Sequence, residues 1–202
     1  MRGLYIHVPF CVRKCAYCDF YSLPARTDLV PAYMGAVLEE AQARRGMSFD
    51  TLYLGGGTPS LLGAEGLQKL IEGLQKTLDL SSVSEATVEA NPDSATGELL
   101  QTALTLGIDR VSIGVQSLSD GELKSVGRVH TAEQAVQAVA LAKQMGFHSI
   151  SADVILGLPG QDWHSLQATL ERLFGLGVDH LSLYLLSLEE GTSLAARPPS
   201  NL

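Results

Sequence analysis

The amino-acid sequence predicts an α/β fold with a parallel sheet, on three observations. Segments of strand length alternate with segments of helical periodicity along nearly the whole chain. The strand segments are rich in leucine and β-branched residues without strict alternation, the pattern of strands covered on both faces. Nearly every strand segment is also followed at once by glycine or polar residues, and parallel α/β folds collect their ligands at those strand ends.

The first strand starts at Tyr5 and leads into the loop CVRKCAYC. A helix is expected over 31–45, where Met34, Val37, Leu38 and Ala41 share one face and Pro31 sits in the first turn. Residues 51–54 form a second strand that stops at Gly55-Gly56-Gly57-Thr58-Pro59, and Leu67, Leu70, Ile71, Leu74 and Leu78 mark the second helix. A third strand at 86–90 runs into Asn91-Pro92, followed by a helix through Leu99, Leu100, Ala103 and Leu104 that stops near Gly107. The strand at 110–115 precedes a long helix capped by Thr131, with Glu133 and Gln134 in its first turn and Met145 before the terminating Gly146. A strand at 149–156, a helix bearing Leu166, Leu170, Leu173 and Phe174, and a strand at 180–185 complete the alternation. This order requires right-handed crossovers, which an open doubly wound sheet and a curved barrel both satisfy. Residues 1–188 read as one core domain. Residues 189–202, with Gly191, Pro198, Pro199, Ser200 and Asn201, lack periodicity and read as a linker or the truncated start of a further region.

With 202 residues, 46% of them hydrophobic, the chain can bury one sizeable core. Its 14 basic against 22 acidic residues give a net charge of −8, which argues against a nucleic-acid backbone or an anionic membrane surface as partner. No apolar run approaches the roughly 20 residues of a membrane span, and the N-terminus has no apolar signal core, so the cytoplasm is the expected compartment. Three cysteines are an odd number for a disulfide framework, which favours a metal or a cluster.

Cys11, Cys15 and Cys18 lie on one loop at spacings that let it wrap three corners of an iron–sulfur cube and leave the fourth iron open. A structural zinc α/β protein is the alternative. It needs a fourth ligand, for which His7 is the near candidate. Gly55 to Gly57 make either a tight turn or a place where backbone approaches a ligand; no GK[ST] follows, so they are not a P-loop.

The segments YIHVPFCVRKCAYC, GGGTPS, VEANPD, GVQS, GRVH and DVILGLPGQ follow one another across almost the entire chain. Together they resemble the radical S-adenosylmethionine (radical SAM) superfamily, and within it the branch of oxygen-independent coproporphyrinogen III oxidases and HemW-type haem chaperones. The resemblance implies a partial (β/α)6 barrel with parallel strands, followed in members of the branch by a C-terminal domain that is missing here. It implies a 4Fe–4S cluster whose open iron is chelated by SAM, and cleavage of SAM to a 5′-deoxyadenosyl radical by an electron from the cluster. By position, Cys11, Cys15 and Cys18 would be the metal ligands, while Tyr5, Gly56, Gly57, Thr58 and Glu89 would line the SAM site. Gln116, Arg128 and Asp153 match positions that surround a second SAM in the oxidase. Taken singly, Glu89 could equally be an exposed acid, Arg128 a surface cation and Asp153 a cap or ion-pair partner.

One departure separates the two subgroups: Phe20 stands in CDFYS where the oxidase carries a further cysteine. The expected function is therefore a haem chaperone, with haem or porphyrin, a haem-accepting protein and an electron donor as partners. Oxidative decarboxylation of coproporphyrinogen III is the alternative. The chaperones' haem-binding HNxxYW segment falls beyond residue 202, and none of His7, His130, His148, His164 and His180 is assignable to haem from sequence.

Overall fold

The computed structural model describes residues 1–24 and 26–198. One sheet contains β1 (Gly3–Val8), β2 (Thr51–Gly56), β3 (Glu85–Ala90), β4 (Arg110–Gln116), β5 (Ser149–Leu156) and β6 (His180–Leu185). All neighbours are parallel and the spatial order is the sequence order, β1 to β6. A doubly wound sheet reverses its winding partway across. Consecutive order instead makes every right-handed crossover step the same way and curls the sheet into an arc with its helices outside. The arc is the partial (β/α)6 barrel, with β1 and β6 as its edges.

The connecting helices are α1 (Val30–Gln42), α2 (Gly63–Gln75), α3 (Gly97–Thr105), α4 (Asp120–Ser125), α5 (Ala132–Met145) and α6 (Trp163–Gly175), followed by α7 (Ser193–Ala196). In α2, Leu67, Leu70, Ile71 and Leu74 are fully buried, each side chain contributing about 2 kcal/mol. That outweighs the roughly 1 kcal/mol cost of each glycine in the same helix, so the apolar face holds α2 where propensity would not. Thr131 caps α5 through a reciprocal capping box with Gln134, and Gly146 closes the helix, as the sequence indicates. By contrast α1 ends at Gln42, short of the expected 45. The chain turns there because Gly46 donates its N–H to Thr77 O at 2.8 Å.

The strands alternate more regularly than expected. Leu52, Leu54, Val88, Val111, Ile113, Ile150 and Val154 join the core with the outer helices. The residues between them form a polar wall: Ser112 Oγ donates to Asp153 Oδ1 at 3.2 Å, Arg110 Nη1 donates to Thr87 Oγ1 at 3.3 Å, and Ser151 Oγ lies 2.9 Å from His180 Nδ1. A closed barrel fills its interior with branched apolar side chains. This inner wall is instead suited to hold a polar ligand.

In the tail, Leu194 is buried and its N–H donates to Ala16 O in the cysteine loop at 2.8 Å. Residues 199–202, including Pro199, Ser200 and Asn201, lie outside the described residues, as does Ala25. Among the described residues no helix is long and apolar enough to cross a membrane.

Candidate functional site

The cysteine loop leaves β1 at Val8 and is pinned at both ends. Phe10 and Cys11 pair with Leu23 and Pro24 in a two-residue parallel ladder. Phe10 is fully buried, edge-on to Tyr33 at 5.3 Å. Tyr33 in turn donates its hydroxyl to His7 O at 2.7 Å. At the loop's centre Ala16 N donates to Val126 O at 2.9 Å. The three cysteines are unpaired and half-buried. Two of their sulfurs have a donor: Thr58 Oγ1 lies 3.6 Å from Cys11 Sγ, and Arg128 Nη1 lies 3.6 Å from Cys15 Sγ. Burial raises the pKa of the Cys18 thiol, the Phe20 amide draws it down, and the nearby Cys15 and Cys11 sulfurs raise it again. Cationic irons would relieve that mutual repulsion.

The end of β2 is stripped of side chains for steric reasons. A Cβ on Gly56, whose φ is +113°, would meet the His7 ring at 2.5 Å. One on Gly57 would meet Phe10 O at 2.7 Å, and the Gly57 N–H donates to Val8 O at 2.8 Å. Beside this turn Glu89 accepts from Tyr53 Oη at 2.7 Å and from Gly56 N at 3.0 Å. Burial nevertheless raises the Glu89 pKa, and it raises that of Asp153 on β5 as well. Two desolvated carboxylates on one wall favour a cationic ligand. Gln116 ends β4 at φ +64°, alone among non-glycine residues in a positive φ within the described chain, and such strain persists where surrounding structure enforces it.

A cavity of about 360 Å³ opens over these strand ends. Cys11, Cys15, Cys18, Gly56, Gly57, Thr58, Glu89, Gln116, Arg128 and Asp153 all line it. Tyr5 is not among the residues that line it. It lies three residues below the end of β1, roughly 10 Å down a strand, where its ring stacks on Tyr53 at 5.9 Å and its hydroxyl lies 3.2 Å from His7 Nδ1. Sequence reasoning left Asn91 and His130 without a role, yet both hold Arg128: Asn91 Oδ1 accepts from its Nη2 at 2.8 Å, and His130 Nδ1 lies 3.3 Å away. The signal for Asn91 was its place at the end of β3, next to the glycine turn of β2.

Two features of the donor set bear on whether it suits a cluster. Among the described residues no three His, Cys, Asp or Glu side chains surround one point as a lone metal ion requires. Arg128 Nε is in addition a buried donor without a partner. Such an orphan costs about 1–3 kcal/mol, in a cationic side chain that lines the cavity and would favour an anionic group there.

Residues 5–189 match the radical SAM superfamily. The chain is 37% identical to the heme chaperone HemW of Lactococcus lactis over 191 residues, covering 95% of this chain and 50% of that protein. To HemW of Escherichia coli it is 37% identical over 202 residues, covering 98% and 53%. The mitochondrial radical S-adenosyl methionine domain-containing protein 1 of Bos taurus is 38% identical over 196 residues, covering 95% and 44%. The chain thus spans about half the length of the curated relatives it matches. Among solved structures, the coproporphyrinogen III oxidase HemN from Escherichia coli, a radical SAM enzyme, superposes with a TM-score of 0.84 at 28% identity, covering 92% of this chain and 44% of that one.

Proposed function

The chain belongs to the radical SAM superfamily, and on that premise we propose that it holds a 4Fe–4S cluster and SAM, and that the whole protein handles haem for delivery to an acceptor. The carrying observation is the convergence of three thiols, a turn stripped of side chains and two desolvated carboxylates on one cavity. Cys11, Cys15 and Cys18 would hold three of the irons, and the fourth would be left for an outside donor. Gly56 and Gly57 allow a ligand to lie against backbone. Glu89, held by Tyr53 and Gly56, and Asp153, held by Ser112, present fixed negative charge to the cationic groups of SAM. Thr58 and Gln116 supply polar contacts at the rim. With a cluster held by Cys11, Cys15 and Cys18, electron-transfer chemistry for cleaving the sulfonium carbon–sulfur bond would be available, and the residues lining the cavity would orient SAM for it.

The haem assignment rests on two supports. Proteins named as heme chaperones share 37% identity over nearly the whole chain. Phe20, 64% exposed, also occupies the position where the oxidase pattern has cysteine. Unpaired thiols suit a reducing compartment, the cytoplasm being the expected one.

Anaerobic reconstitution tests the cluster. Wild type should take up about four irons and four sulfides per chain, and Cys15→Ala should lose most of both. Zinc bound without iron or sulfide would replace this reading with a structural metal site. Absorbance titration of the whole protein with haem tests the chaperone function. Failure to bind haem with the cluster intact, together with protoporphyrinogen formed from coproporphyrinogen III, SAM and a reductant, would put the oxidase in its place.

A further inference from the structure

We propose that Asn91 is a positioning residue: one side-chain amide orients the two groups that donate to cluster-ligating sulfurs, and thereby sets the reduction potential of the cluster. The inference rests on the cluster reading of Cys11, Cys15 and Cys18.

The hydrogen bonds form one directed chain. Asn91 Nδ2 donates to Thr58 Oγ1 at 3.1 Å, and the Thr58 hydroxyl is thereby left to donate to Cys11 Sγ at 3.6 Å. On its other side Asn91 Oδ1 accepts from Arg128 Nη2 at 2.8 Å, and Arg128 Nη1 points to Cys15 Sγ at 3.6 Å. The two ends of the amide are not interchangeable here. A guanidinium only donates, so it requires the oxygen, and the nitrogen is left facing the hydroxyl. The chain crosses from the loop after β2, through the end of β3, to the segment between α4 and α5. It thus ties two cysteines of one loop to three separate parts of the barrel.

Arg128 is held on every remaining branch but one. Nη2 also donates to Gly114 O at 2.7 Å and approaches His130 Nδ1 at 3.3 Å, while His130 Nε2 lies 3.1 Å from Val115 O. The imidazole therefore keeps its proton on Nε2 and offers Nδ1 as an acceptor. Gly114 must be small for this to close, since a Cβ there would sit 3.3 Å from Arg128 Nη2 and 3.2 Å from Asn91 Oδ1. A cation so confined acts as a fixed charge on the Cys15 sulfur. Donors and positive charge on ligating sulfurs stabilise the reduced, more negative cluster, which raises its potential.

The test is EPR-monitored redox titration of the reconstituted protein, with iron and sulfide measured on each sample. Asn91→Leu removes both orientations and should lower the ratio of reduced to oxidised cluster at a fixed poise about tenfold, equivalent to about 59 mV for a one-electron couple. Thr58→Val and Arg128→Gln should each shift it in the same direction by less, and adding either to Asn91→Leu should add little, as members of one network do. Asn91→Asp keeps the acceptor for Arg128 but loses the donor to Thr58 and sets a carboxylate against the guanidinium charge, so it should lower the potential as well. Full iron and sulfide in Asn91→Leu with an unchanged potential and EPR line shape overturns the inference. If Asn91→Leu loses the cluster, Thr58→Val decides in its place, because it removes only one donor: a lowered potential supports the inference and an unchanged one overturns it. A wild type that takes up no iron and sulfide refutes the cluster reading itself, and that outcome is separable from a cluster whose potential ignores Asn91.

Discussion

At Gly57 three backbone atoms leave no room for a side chain: a Cβ would lie 2.7 Å from Phe10 O and 2.9 Å from both Pro9 C and Val8 O. None of these can swing aside as a side-chain tip would. Gly57→Ala should therefore cost about 1–3 kcal/mol in overpacking and displace the cysteine loop from β2, lowering iron uptake at reconstitution more than it lowers the urea midpoint. Wild-type iron content would show that the close approach of loop and turn is unnecessary. The sequence shows glycines after a strand and leaves open whether they make a turn or admit a ligand. The structure supplies the reason that pattern lacks, because Gly56 faces the His7 ring and Gly57 faces the first residues of the loop itself. For Glu89, placement near the end of β3 was legible, and for both Glu89 and Asp153 so was their chemical type. The partners of Asn91 and His130 were not, because they come from neighbouring strands and loops whose register no single-chain periodicity encodes.

Among the elements, α1 packs on the core mainly through partly buried side chains, Tyr33, Met34, Val37 and Leu38. Of its residues only Ala41 is buried, and a Cβ added to Gly35 in its middle would have nothing within 4 Å. A mid-helix glycine with free space costs entropy and returns no packing, so Gly35→Ala should stabilise by about 0.5–1 kcal/mol and raise the melting temperature by about 2–3 °C. A lowered melting temperature would mean that α1 is restrained by contacts this geometry does not contain. Gly73 in α2 differs, since its Cβ would strike Leu38 at 2.6 Å where α1 and α2 cross. Elements with an extended apolar stripe, such as α2 and α5, were legible, α5 with its cap and end correct, while Leu78 of the α2 stripe lies past the helix end at Gln75. The six residues of α4 and four of α7 are too few to show a period. Both nonetheless shape the site: Val126, just after α4, and Leu194 in α7 hold Ala16 from opposite sides.

For the molecule as a whole, consecutive strand order places all six strand ends on one rim, and His130 fastens the end of β4 to the segment that carries Arg128. That fastening has a pH signature. Burial, and next the charge of Arg128, hold the His130 pKa down to about 4, against the smaller opposing pull of Val115 O and Asp120. The unfolded chain titrates near 6.5, so between these values it binds more protons than the folded one. Stability from neutral His130 is complete above pH 6.5 and is lost as pH falls toward 4. Glu89 and Asp153, whose pKa values burial raises, act in the opposite sense, favouring the folded state as they take up protons. Comparison with His130→Gln cancels their contribution. Between pH 7 and pH 5 the wild type should lose about 2 kcal/mol more unfolding free energy than the variant. Equal losses in urea titrations would mean that protonation of His130 does not strain the fold, and that the guanidinium beside it is held by Asn91 and Gly114 alone.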